Sequence, residues 1–160
     1  MQIAPFPSAG TENVMGEACV YVVDDDPMIR SSMAFLLRSH ALGCRVFAEG
    51  DELLSALDDL TPGCILLDLR MPRGSGLDVQ AELARRGNTF PVIAMTAGDN
   101  QDEARRSLAM GAIDILEKPF EERALMAALG RGFDEIEANS GEHRLSPHPS
   151  QRGPDPAKRA

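Results

Sequence analysis

The stretch VYVVDDDPMIR, residues 20–30, sets three carboxylates between an apolar run and a segment that begins with proline. The run before the acids is mostly β-branched, which predicts a buried strand. Pro27 suits the first turn of a helix, and Ile29 and Met33 begin an apolar face at helical spacing. A strand that leads directly into a helix is the repeating unit of an α/β sheet.

The same pattern recurs four more times along the chain. Predicted strands cover 18–23, 43–47, 63–68, 90–95 and 112–116. Predicted helices cover 27–40, 51–59, 77–86, 100–109 and 121–137. The first, third and fourth strands are nearly all apolar, as expected for parallel strands covered by helices on both faces. We therefore predict an α/β fold with one doubly wound, five-stranded parallel sheet and five helices.

The composition fits a single domain with flanking segments. A chain of 160 residues with 43% hydrophobic content suits one globular domain with a normal core. Residues 1–17 mix Pro, Gly and polar residues, so we predict a flexible N-terminal lead. The domain is then predicted over 18–138. Residues 139–160 are rich in Pro, Ser, Gly and charge, which predicts a disordered tail.

The net charge indicates which partners to expect, and the cysteines indicate the cellular compartment. The formal charge is −9, and the predicted domain carries all of it because the lead (−2) and the tail (+2) cancel. An acidic body disfavours non-specific binding to nucleic acid or to an anionic membrane, and favours protein partners or cations. Three widely spaced cysteines predict buried thiols rather than disulfides or a zinc site. Without a signal peptide or an apolar run of membrane-spanning length, the sequence predicts a soluble cytoplasmic protein.

Chemically suggestive residues follow the strands at one edge of the predicted sheet. Ligand sites of open parallel sheets lie beyond the carboxyl ends of the strands. That edge receives Asp24, Asp25, Asp68, Thr96 and Lys118. Carboxylates held close together repel, and a hard divalent cation such as Mg²⁺ relieves the repulsion. The hydroxyl and the ammonium group suit the oxygens of a phosphoryl group.

Four segments carry a resemblance to the receiver domain of two-component response regulators, over about residues 18–137. They are VVDDDP (22–27), LLDLRMPRGSGL (66–77), IAMTA (93–97) and ILEKPF (115–120). The resemblance implies a flavodoxin-like strand order of 2-1-3-4-5. It also implies a phosphorelay protein that is not an enzyme beyond its own phosphorylation and dephosphorylation.

The resemblance assigns roles to individual residues. Asp68 is the implied phosphoacceptor for a histidine kinase or a histidine phosphotransfer protein, and Lys118 and Thr96 would contact phosphoryl oxygens. The implied Mg²⁺ ligands are Asp25, the Asp68 side chain, the backbone carbonyl of Arg70, and Asp24 through water. Asp26 is predicted to be a favourable charge at a helix N-terminus rather than a ligand.

One position departs from the family pattern. Ile115 stands where receiver domains usually have an aromatic residue that moves with the threonine during switching. We predict that Thr96 leads the switch here, with Ile115 as the second position. Output is expected through the surface of the fourth helix, fifth strand and fifth helix. LRMP and ILEKPF resemble a branch whose longer members carry a helix-turn-helix, so the chain is either a stand-alone regulator or a fragment.

Two other function classes remain as alternatives. An apolar strand followed by Asp24 and Asp26 resembles haloacid-dehalogenase-type phosphohydrolases, but those need a second acidic pair at another strand end and Asp58–Asp59 falls in a predicted helix. The chain also lacks a cap domain. A pseudo-receiver, which binds proteins without being phosphorylated, is the other alternative. The complete five-residue set argues against it.

Overall fold

The computed structural model describes residues 18–145, with side chains as far as Asn139. In these residues the strands are β1 Cys19–Val23, β2 Gly43–Phe47, β3 Cys64–Asp68, β4 Arg70–Met71, β5 Gly74–Ser75, β6 Val92–Thr96 and β7 Asp114–Glu117. The helices are α1 Pro27–Ser39, α2 Gly50–Ala56, α3 Gly76–Arg85, α4 Gln101–Ala109 and α5 Glu122–Leu145. No helix of the described part is long and apolar enough to cross a membrane.

Five parallel strands form the central sheet in the order β2-β1-β3-β6-β7, which is the predicted topology. Alternate residues of the central strands point to opposite faces, and both faces are covered. Val22 and Leu66 lie in the apolar cluster shared with α1 and α5. Val23 and Leu67 lie in the cluster shared with α2 and α3. Burial on both faces explains why these strands read as continuous apolar runs.

Most element ends lie within two residues of the prediction, and two larger differences flank β3. The helix predicted over 51–59 ends at Ala56 and tightens into a 3₁₀ turn, Leu57–Asp59. The short antiparallel hairpin of β4 and β5, which follows Asp68, was not predicted; it turns through Gly74 at a φ of 139°. A positive φ of this size favours glycine, because glycine has no Cβ to clash with the backbone.

The largest difference concerns the end of the domain. α5 continues to Leu145, so placing residues 139–145 in a disordered tail was wrong. Asn139 and Gly141 have low helix propensity, but the first residue that cannot continue a helix is Pro147. The remainder of the predicted tail, 146–160, and the predicted lead, 1–17, lie outside the described residues.

Candidate functional site

Three carboxylates meet at the carboxyl edge of the sheet. Asp24 and Asp25 follow β1, and Asp68 ends β3, which pairs directly with β1. One oxygen from each lies within 4.8 Å of the others. Asp24 and Asp68 are buried, at 0% and 5% exposure, whereas Asp25 is exposed. The parallel sheet thus brings residues more than 40 positions apart in sequence into one acidic group.

Backbone contacts fix the orientation of Asp24. Its Oδ1 accepts a hydrogen bond from the Asp26 N–H at 3.0 Å, and its own N–H donates to the Phe47 carbonyl at 3.1 Å. The Arg30 guanidinium donates to the Asp24 carbonyl at 2.9 Å. Sequence reasoning missed Arg30, because a side chain on α1 that returns to the backbone of the preceding loop leaves no motif.

Asp26 caps α1 and is not one of the three grouped carboxylates. Its Oδ1 accepts the Met28 N–H at 2.9 Å, and its backbone is extended, as expected for an N-cap residue. The interpretation of Asp26 as a helix N-terminal residue is confirmed.

Lys118 supplies the cation that faces the acids. Its Nζ donates to Asp24 Oδ2 at 2.8 Å and to Asp68 Oδ2 at 3.3 Å. The residue follows β7, where its N–H donates to the Thr96 carbonyl at 2.7 Å and its peptide bond to Pro119 is cis. Burial alone would lower the pKa of Lys118, but the hydrogen bond to Asp24 and the charges of Asp68 and Asp24 raise it above its ordinary value. The ammonium group therefore stays charged at neutral pH.

Burial and neighbouring charges act on the Asp68 carboxyl. Burial raises the pKa of its carboxyl to about 6, and the nearby Asp24 charge adds to the rise. A hydrogen bond from the Arg70 N–H to Asp68 Oδ1, 3.1 Å long, and the charge of Lys118 both oppose that rise. At pH 7 the Asp68 carboxylate is therefore mostly ionised, and the single charge of Lys118 does not balance the charges of both Asp68 and Asp24. Such a carboxylate can act as a nucleophile and can also bind a cation.

Thr96 and Ile115 lie on the neighbouring strands. Thr96 ends β6, is 4% exposed, and follows Met95, which pairs with Asp68 across the strands. Ile115, on β7, is half-buried and packs against a small cluster made by Leu69, Leu77 and Ala94. Ile115 therefore contacts the part of the core that lies under the loop after Asp68.

The donor set fits a magnesium ion. The carboxylates of Asp24, Asp25 and Asp68 are hard oxygen donors grouped on one side, and a single ammonium leaves them with excess negative charge. The Arg70 carbonyl, at the start of β4 and two residues after Asp68, is the further oxygen donor that the resemblance implies.

The two acidic pairs considered for a phosphohydrolase lie apart from each other. Asp24 is buried in an ion pair with Lys118, and Asp26 is committed to the cap of α1. Asp58 and Asp59 lie in the 3₁₀ turn before β3, at the opposite edge of the sheet. Asp58 and Asp59 therefore do not provide the distal acidic pair that this chemistry needs.

Comparison with known proteins places the chain among two-component regulators. Residues 20–130 match the family model described as response regulator receiver domain. The chain is 37% identical over 113 residues to Response regulator protein TmoT from Ectopseudomonas mendocina, covering 71% of this chain and 51% of TmoT. It is 41% identical over 120 residues to Transcriptional regulatory protein FixJ from Azorhizobium caulinodans, covering 72% and 57%. The chain thus spans about half the length of the curated relatives it matches.

Solved structures agree on the fold. The crystal structure of FixJ-N superimposes with a TM-score of 0.71 at 29% identity, over 75% of this chain and 96% of that one. Full-length FixJ from B. japonicum gives a TM-score of 0.73 at 33% identity, over 78% of this chain and 62% of that one.

Proposed function

The chain belongs to the response regulator receiver domain family, and we propose that it accepts a phosphoryl group on Asp68 from a histidine kinase or a histidine phosphotransfer protein. The observation that carries this proposal is the position of Lys118 Nζ, between the carboxylates of Asp24 and Asp68. A cation held there faces both the nucleophile and the oxygens of an arriving phosphoryl group.

The chemical step needs only the groups already described. An Asp68 oxygen attacks phosphorus, the bond from phosphorus to the donor histidine nitrogen breaks, and that nitrogen keeps the electron pair. Lys118 pairs with a phosphoryl oxygen and Thr96 donates a hydrogen bond to another. When bound, Mg²⁺ would be held by Asp25, Asp68 and the Arg70 carbonyl, with Asp24 acting through water, and would neutralise charge on the phosphoryl oxygens.

The product is an acyl phosphate on Asp68, which water hydrolyses to restore the carboxylate and release inorganic phosphate. No other catalytic activity is proposed. The domain then acts as a timed switch in the cytoplasm, where the proposed phosphodonors present their phosphohistidine.

Output is proposed to occur by protein contact through α4, β7 and α5. Leu108 and Met110, at the end of α4, are 48% and 37% exposed, which supports a partner surface on this side. The transcriptional role in the name of FixJ is not extended to this chain, because the match covers about half of FixJ. Direct binding to nucleic acid or membrane is not part of the proposal.

The proposal is tested by labelling with acetyl phosphate and Mg²⁺. We expect one acid- and base-labile phosphoryl group, seen as a band shift on a phosphate-affinity gel and as an added phosphate mass. Asp68→Asn should abolish the shift, whereas Asp78→Asn, an exposed carboxylate on α3, should keep it. Label on Asp24 would support the phosphohydrolase alternative. A parent protein that takes no label from acetyl phosphate or from any sensor kinase would support the pseudo-receiver.

A further inference from the structure

The Arg70 side chain reaches from the loop after Asp68 to the start of α4. Its Nη2 lies 3.1 Å from Asp99 Oδ1 and its Nη1 lies 3.4 Å from Asp99 Oδ2, so the pair is bidentate. Nη2 also lies 3.8 Å from Glu103 Oε1, in the first turn of α4. The sequence did not predict this pair, since contacts across about 30 positions leave no local pattern.

α4 makes few buried contacts with the rest of the domain. Ser107 is the one buried residue within Gln101–Ala109, and its partner is polar. The Ser107 hydroxyl donates to Gln80 Oε1 at 2.7 Å, and Gln80 Nε2 donates to the Ser107 carbonyl at 3.0 Å. A helix without a buried apolar residue gains little stabilisation from apolar burial. Polar contacts therefore contribute more than usual to keeping α4 in place.

We propose that the Arg70 side chain is a positioning residue that holds the first turn of α4 while Asp68 is unmodified, and releases it when Asp68 carries a phosphoryl group. This inference rests on the proposed function and names a second contact, beside Thr96, through which charge at Asp68 reaches α4. The buried pair of Gln80 and Ser107 stays in place as the fixed point about which the helix moves.

The backbone and the guanidinium of Arg70 have different partners, and this explains why the residue responds to Asp68. Its backbone N–H donates to Asp68 Oδ1 at 3.1 Å, which holds the Arg70 backbone beside the phosphoacceptor. The hydrogen bond to Asp99 raises the pKa of the guanidinium, and the charge of Asp68 also acts on it and helps to raise that pKa. A phosphoryl group brings more negative charge and three acceptor oxygens, which compete for a guanidinium better than a carboxylate does. The present partners are easily exchanged, because Arg70 and Asp99 are 52% and 65% exposed.

The first test measures unmodified variants and takes the expected direction of movement from beryllofluoride binding to the parent. The double variant Asp99→Asn/Glu103→Gln removes both acceptor charges and leaves Arg70 intact. Amide NMR signals of 101–106 should move toward the positions that beryllofluoride with Mg²⁺ produces in the parent, with a shift of about two- to fivefold in the equilibrium. Arg73 lies on the same hairpin and pairs with Glu49 at 3.4 Å. The matched control Glu49→Gln/Arg73→Gln should leave those signals in place.

The second test asks whether the acids act through Arg70. Arg70→Gln should move the same amide signals in the same direction, and adding Asp99→Asn/Glu103→Gln to it should produce no further movement. Fully additive movements, or unmoved signals in the double variant, would overturn the inference. Failure of the proposed function is seen separately, as an absence of Asp68 labelling in the parent on a phosphate-affinity gel.

Discussion

Lys118 Nζ lies closer to Asp24, at 2.8 Å, than to the proposed phosphoacceptor Asp68, at 3.3 Å. A single ammonium is therefore shared by two buried carboxylates, and Asp25 adds a third negative charge to the group. The folded protein keeps these like charges together at some cost in stability, which a metal or a change of charge should relieve.

The first prediction concerns Asp68→Asn in metal-free protein. Because the pKa of Asp68 is raised from 3.8 to about 6, the ionised form is disfavoured in the folded state. The contribution of Asp68 to stability should then fall as the pH rises from about 4 to about 6, and this loss should level off above pH 6. We expect Asp68→Asn to raise the free energy of unfolding at pH 7.5 by on the order of 2 to 3 kcal/mol, measured by urea denaturation with a chelator present.

Two comparisons make this prediction specific. The gain should shrink toward pH 4, and it should decrease when Mg²⁺ is added, because the metal stabilises only the parent. The exposed Asp58→Asn is the control for removing one negative charge elsewhere on the domain. A gain that is constant from pH 4 to 7.5 would mean that ionisation of Asp68 is not the source of the strain.

Substitutions of the neighbouring Asp25 and Asp26 should have different effects on Mg²⁺ affinity. Asp25→Asn removes a proposed direct ligand and should weaken Mg²⁺ binding by roughly 10- to 100-fold. Asp26→Asn also removes one charge, but its amide oxygen can still cap α1, so binding should change little. The chain has no Trp, so calorimetry or NMR is the suitable measurement. Equal losses in both variants would indicate a general charge effect instead of ligation at Asp25.

Much of the fold could be predicted because burial on two faces leaves a strong sequence pattern. The continuous apolar runs of β1, β3 and β6 gave both the strand positions and the parallel arrangement. The candidate site followed, since parallel strands bring Asp24, Asp68 and their partners to one edge whatever their separation in sequence.

Contacts made by individual side chains could not be predicted in the same way. The hairpin of β4 and β5 has two-residue strands, too short to show periodicity. The end of α5 depends on residues of low helix propensity, whose state is decided by context. The bonds of Arg70 to Asp99 and of Gln80 to Ser107 join different elements, and no spacing rule connects their positions.

The pair of Gln80 and Ser107 gives a stability prediction. Each single variant, Gln80→Leu or Ser107→Ala, leaves a buried polar group without its partner, so each should lower the free energy of unfolding by about 1 to 3 kcal/mol. The double variant should cost less than the sum of the two, because no side-chain group of the pair is then left unpaired. Urea denaturation measures all three. Strict additivity would show that the two side chains do not act as a pair.

The last prediction concerns the switch at Thr96 and Ile115. A hydrogen bond from the Thr96 hydroxyl to a phosphoryl oxygen is worth about 1.5 to 3 kcal/mol, which shifts a two-state equilibrium by roughly 10- to 150-fold. That bond can form whatever residue stands at 115, so an aromatic side chain is not required.

With beryllofluoride and Mg²⁺, amide signals should therefore change in the loop after Thr96 and along α4. Thr96→Ala should suppress these changes while Asp68 still accepts phosphate from acetyl phosphate. Ile115→Ala should have the smaller effect, since it removes only packing against Leu69 and its neighbours. The reverse ranking would mean that coupling runs through the core at Ile115 rather than through the Thr96 hydroxyl.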